Sequence, residues 1–303
     1  MKFSIGIKTD PIEYRYTFEW LFSLCKALNI QYVQIGSFFE LYSLDAGYFY
    51  NLRELAEKKG VRIKSCFTTH RELGGFFSGD PYLEKAARKN YEKYIKAAAI
   101  LGADYMGSNP GSVPRDRMDG KQTGIACYLD HMKELMEYAK QQGLKGLTME
   151  PMSSLAEPPT LPEELDYILK TLKEYHTVNA GTTVPAYVCG DISHGYADKH
   201  QQVIHSNTDL FAHQLPFLAE FHIKNTDPVF NSTFGFSKEE QKKGIVELKK
   251  IRALLEEKSS FVPVDHLVGY FESGGPKLGR DYSDYKLKQA LTESITEIQQ
   301  AFA

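Results

Sequence analysis

The chain has little that would staple or anchor it. Four cysteines are spread over 303 residues, at 25, 66, 127 and 189, with no CxxC pair and no zinc-finger spacing. That excludes a disulfide scaffold and a cysteine-rich metal domain. No apolar run approaches the roughly 20 residues that a bilayer span needs, so no membrane partner is expected. The formal net charge is only -3, and no dense Lys/Arg run breaks that balance, which argues against a nucleic-acid partner. No GxGxxG follows the first apolar run, so the dinucleotide-binding fingerprint is missing. The first residues read as a strand, Phe3-Ser4-Ile5-Gly6-Ile7, instead of a leader, and a reducing cytoplasm is the expected setting.

What is present is alternation. Hydrophobic residues make up 42% of the chain and charged ones 25%, enough to bury a core. Strand-like runs are expected at Lys2–Lys8, Tyr32–Gly36, Arg62–Thr68, Tyr105–Ser108, Gly143–Glu150, Ala186–Asp191, Glu220–Lys224 and Phe261–His266. Helical periodicity separates them, at 17–28, 48–59, 82–101, 124–142, 162–175, 210–218, 238–257 and 284–301. Asn29, Gly60, Gly102 and Gly143 stand where helix ends want a left-handed residue. The joints there are short, whereas the segments after the strands are long and polar. Eight strand–helix units imply an α/β chain folded as one (β/α)8 barrel over residues 1–303, with its site on the loops after the strands. A doubly wound open sheet is the runner-up.

Polar residues at the ends of consecutive strands carry the chemistry. Pro151 cannot donate to a ladder, so it stops the fifth strand and leaves Glu150 at its carboxyl end. Asp191 ends the sixth run, His222 lies in the seventh and Asp265 falls near the end of the eighth. Three carboxylates and an imidazole suit a divalent ion. Taken singly, each is as easily a helix cap or a satisfied core residue; four on consecutive strands are harder to assign to chance. Asp191-Ile192-Ser193-His194 places a second imidazole just past its strand, and Glu157 sits in a loop held by Pro158-Pro159. His70 closes the third run and is expected either to touch substrate or to anchor its loop. Lys224 shares strand parity with His222.

On positions 150–157, 191–194, 222 and 265, and on the eight-fold alternation, the chain resembles the xylose isomerase-like barrel superfamily of sugar isomerases and epimerases, most closely its D-tagatose 3-epimerase branch. The resemblance implies Glu150, Asp191, His222 and Asp265 as ligands of one divalent ion, Mn²⁺ first, with Mg²⁺, Co²⁺ or Zn²⁺ as alternatives. It implies Glu157 and His194 as substrate contacts; Glu150 and Asp265 are chosen as the two acid/base groups, and His70 and Lys224 are added as candidate substrate contacts from their places on the strands. The partner would be a sugar or sugar phosphate, and the assembly a homodimer or homotetramer. Three departures stand out: Asp265 replaces a family Glu, for which His266 or Glu272 in the next loop could substitute; Glu157 follows Glu150 by seven residues instead of six; and Lys224 stands where the family carries a nearby Arg. The implied activity is ketose epimerisation or isomerisation through an enediolate. The alternatives are a dehydratase of the same superfamily and an endonuclease IV-like phosphodiesterase, which the net charge disfavours.

Overall fold

Runs of four to seven largely buried residues become the barrel strands. The computed structural model describes residues 1–36 and 38–303, except for the side chains of residues 70 and 71. Its strands are β1 (Lys2–Lys8), β2 (Tyr32–Ile35), β3 (Arg62–Thr68), β4 (Tyr105–Ser108) and β5 (Gly146–Met149). There follow β6 (Ala186–Asp191), a small antiparallel pair β7 (Tyr196–Ala197) and β8 (Val203–His205), then β9 (Leu218–Ile223) and β10 (His266–Phe271). Neighbours run β1-β10-β9-β6-β5-β4-β3-β2, a closed parallel barrel, with helices between successive barrel strands. The expected (β/α)8 architecture is the observed one.

The chain divides into two compact units, one of residues 1–36, 52–63 and 190–303, the other of residues 37–51 and 64–189. In the first, β1 pairs with β10 and β2, and β10 with β9. Phe3 stacks on Phe302 at 4.8 Å and on Phe221 at 6.0 Å. Those contacts dock the last helix, Leu287–Phe302, which also buries Leu291, Ile295 and Ile298. Each such side chain contributes about 1.5–3 kcal/mol relative to exposure.

In the second unit β3, β4 and β5 pair in turn. The long helices Pro81–Leu101 and Lys121–Gln142 bury Tyr91, Tyr94, Tyr128, Met132 and Met136. Asp80 starts the first of them, its carboxylate accepting from Tyr82 N at 2.7 Å and Leu83 N at 3.2 Å, with Pro81 at the first helical position. Tyr91 Oη and Ser108 Oγ, 2.7 Å apart, satisfy each other inside the core. Gly102 and Gly143 end the two helices at φ of 77° and 86°, as expected.

Two expectations shift. The helix expected over 238–257 is two, Lys238–Gln241 and Leu248–Glu257. Between them the chain is tied down: Ile245 N donates to Thr226 O at 3.0 Å, and Val246 N to Asn225 Oδ1 at 3.0 Å. A Cβ at Gly244 would sit 2.1 Å from the Asn225 amide, so helix gives way to close backbone packing there. The eighth barrel strand starts where it was expected to end. Ser259–Phe261 is a 3₁₀ turn, and Pro263 cannot join a ladder, so the apolar Phe261-Val262-Pro263-Val264 run is a connection. The strand is His266–Phe271, in register Lys2↔His266 through Ile7↔Phe271.

Candidate metal centre

That five-residue shift decides the site. Asp265 lies exposed at the amino end of β10, where its carbonyl accepts from Lys2 N at 2.7 Å. It is not a member of the cluster, and the expectation that it serves as fourth ligand and acid/base group is corrected. The residue at the carboxyl end of β10 is Glu272. Asp191, His222 and Glu272 each offer one ligand atom, and the three atoms lie within 4.8 Å of one another.

Register sets the geometry. The pairs Ile7↔Phe271 and Phe271↔Ile223, carried one residue further, align Lys8, Glu272 and Lys224 in a row across β1, β10 and β9. Glu272 N donates to Ile223 O at 3.1 Å and continues the ladder. Lys8 Nζ lies 2.5 Å from Glu272 Oε1 and 2.9 Å from Asp10 Oδ2. Lys224 Nζ lies 2.8 Å from Glu272 Oε2 and 2.7 Å from Asp191 Oδ2. Burial alone would push the Glu272 carboxyl up. His222, Lys224 and Lys8 outweigh it and hold the group well below the usual carboxylate range, so Glu272 is ionised.

His222 is fully buried in β9. Its Nε2 donates to Gln34 Oε1 at 2.8 Å, which turns Nδ1 toward Glu272 Oε2, 3.5 Å away. Asp191 is likewise fully buried. Its Oδ1 accepts from Ser193 N and Ser193 Oγ, each at 2.7 Å, while Oδ2 has no well-directed hydrogen bond. His194 Nε2 stands 3.6 Å from that same Oδ2. In the other unit, Glu150 follows β5, and Asn109 Nδ2 donates to its Oε2 at 2.6 Å.

This donor set fits a divalent cation. It offers hard carboxylate oxygens and one imidazole nitrogen, two of its carboxylates already hold a cation in the Lys224 ammonium, and its imidazole is oriented by an outer amide. A second group, Glu84, Cys127 and His131, is equally close-knit. There His131 Nε2 sits 2.8 Å from Glu84 Oε1, and Nδ1 3.4 Å from Arg88 Nη1, which can only donate. The ring has no lone pair left for a cation. The Cys127 thiol is pushed up to about 11 by burial, with Glu84 adding to it.

Of the other expected residues, Lys224 and His194 come to the cluster. Glu157 is half-buried in the loop after β5, its N–H donating to Ser154 O at 2.7 Å. The side chain of His70 lies outside the described residues. Sequence reasoning missed Lys8, Gln34, Asn109 and, as first choice, Glu272. Lys8 and Asn109 carried the same signal as Glu150, a polar residue at or just past the carboxyl end of an apolar strand.

A family model described as xylose isomerase-like TIM barrel matches residues 22–261. No curated protein matches in sequence. Among solved structures, a xylose isomerase candidate from Rhodospirillum rubrum superposes with a TM-score of 0.76 at 17% identity, over 98% of this chain and 99% of that one. A D-psicose 3-epimerase from Clostridium cellulolyticum, solved with D-tagatose, gives 0.73 at 13% identity over 100% and 99%. A D-tagatose 3-epimerase-like protein gives 0.68 at 15% over the whole of both chains. At these identities the likeness establishes the fold. Among the described residues, no helix is long and apolar enough to cross a membrane.

Proposed function

The chain belongs to the xylose isomerase-like TIM barrel family, and from that premise we propose that it is a divalent-metal-dependent epimerase or isomerase of a ketose or ketose phosphate. The observation that carries the reading is the group Asp191, His222 and Glu272, with its ligand atoms within 4.8 Å of one another. Residues 1–303 are read as one catalytic barrel domain. A bound ion, Mn²⁺ in the first instance, supplies a Lewis acid for the substrate's carbonyl and neighbouring hydroxyl oxygens.

The chain's own groups do the rest. Glu272, held as a carboxylate by Lys8 and Lys224, enters the reaction as a base and takes the proton from the carbon beside the carbonyl. Glu150 is the second proton carrier, oriented by Asn109. Return of the proton to the same carbon from the other side gives an epimer, and return to the neighbouring carbon gives an isomer. His194 and Glu157 are assigned to substrate hydroxyls, and Lys224 to a substrate oxygen once it is released from its carboxylates.

The test is to incubate Mn²⁺-loaded protein with a panel of ketoses and ketose phosphates in D₂O. Deuterium at the carbon beside the carbonyl supports the proposal. Loss of a β-hydroxyl without exchange into recovered sugar would move the reading to a dehydratase. No reaction with any member, alongside cleavage of abasic DNA, would sink it.

A further inference from the structure

Lys224 stands inside the cluster instead of beside it. Its ammonium bridges Asp191 Oδ2 at 2.7 Å and Glu272 Oε2 at 2.8 Å, and its side chain is only 10% exposed. Glu272 Oε2 is also the oxygen that faces His222 Nδ1, at 3.5 Å. The ammonium therefore sits on oxygens of two of the three residues, Asp191, His222 and Glu272, whose donor atoms converge. Lys8 is placed differently: it holds Glu272 Oε1 and Asp10, the outer side of the same carboxylate.

A carboxylate oxygen has lone pairs enough for an ammonium and a cation together. The two positive charges would then stand a few ångströms apart in a largely buried site, where repulsion is strong. We propose that Lys224 is a built-in competitor for the ion. Its ammonium and a divalent cation exchange at Asp191 and Glu272, so loading the site releases Lys224 from its carboxylates. The proposal rests on the metal-dependent reading above and concerns this chain's own lysine. Its consequence is a site with weakened affinity for its ion, in which ion binding and the position of a substrate-facing cation are linked.

The experiment is Mn²⁺ titration of metal-free protein, reading free Mn²⁺ by electron paramagnetic resonance. Each variant's melting temperature is recorded with and without the ion. Lys224→Met and Lys224→Gln are expected to bind Mn²⁺ at least tenfold tighter than the parent, with a larger ion-induced rise in Tm. Lys8→Met removes one positive charge from the outer oxygen and measures the effect of charge alone. The gain at Lys224 must exceed it. His222→Ala locates the binding and should abolish most of it.

A parent that binds Mn²⁺ poorly while both Lys224 variants bind it well supports the proposal most directly. If His222→Ala loses the ion but the Lys224 variants bind no more tightly than Lys8→Met, competition is refuted and the metal reading stands. If neither the parent nor the Lys224 variants bind Mn²⁺, both fall.

Discussion

Replacing Glu272 by Gln should cost the metal-free protein about 3 kcal/mol, and replacing Asp265 by Asn almost nothing. Glu272 is the shared anion of two lysines, with Lys8 on one oxygen and Lys224 on the other. Removing one member of a buried ion pair typically costs about 3–5 kcal/mol, because the charge left behind is uncompensated. Here each lysine keeps a second carboxylate, Asp10 at 2.9 Å for Lys8 and Asp191 at 2.7 Å for Lys224. The expected cost therefore falls at the bottom of that range. For a chain of this size, a destabilisation of 1 kcal/mol lowers Tm by roughly 2–4 °C, so Glu272→Gln should melt about 6–12 °C below the parent. Asp265 is exposed at the other end of the same strand, and Asp265→Asn should stay within about 0.5 kcal/mol. Circular dichroism melts in chelator give the stabilities. Mn²⁺ titration of the same variants, freed of chelator, should show a loss for Glu272→Gln at least as large as the roughly 10–100-fold that losing an outer-shell partner costs, and no loss for Asp265→Asn. If Asp265→Asn lost the ion and Glu272→Gln kept it, β10 would be out of register and the site assignment wrong.

Other outcomes follow from neighbouring contacts. Gln34→Leu strands the buried His222 N–H, and should cost about 1–3 kcal/mol together with a roughly 10–100-fold loss of Mn²⁺ affinity, read by the same two assays. Asp104→Asn breaks the buried Lys64 pair at 2.7 Å at the opposite ends of β3 and β4; it should destabilise by about 3 kcal/mol while leaving Mn²⁺ binding unchanged. The pH dependence has a definite sign. Glu272 is held well below its ordinary value of 4.5, so its stabilisation is fully present above that pH and is lost as pH falls through the lower folded value. Tm of the metal-free parent should thus fall below about pH 4.5 more steeply than that of Glu272→Gln, and parallel curves from pH 3 to 7 would contradict the ion-pair picture.

The fold was legible because its signals are local and repeated. Asn29, Gly60, Gly102 and Gly143 all adopt positive φ, and each ends a helix that feeds a strand. Where the reading slipped, two local signals competed. Phe261-Val262-Pro263-Val264 has the apolar density of a strand but contains a residue that cannot donate to a ladder. The true run His266-Leu267-Val268-Gly269-Tyr270-Phe271 opens with a polar residue and carries a glycine. That glycine is required: a Cβ there would lie 2.6 Å from the Phe221 ring. Close approach of β9 and β10 is a tertiary fact with no periodicity to announce it.

The site was half legible for a related reason. Searching strand ends for metal ligands selects carboxylates and imidazoles and passes over lysines, although Lys8 ends β1 just as Asp191 ends β6. Yet the lysines fix how much charge the site can hold. Lys224 rests on Asp191 and Glu272, and Lys8 on Glu272 and Asp10. Buried charge must be balanced by something close at hand. An ion bound by Asp191 and Glu272 would supply that balance in place of an ammonium, and Lys224 is the cation already resting on the oxygens of both.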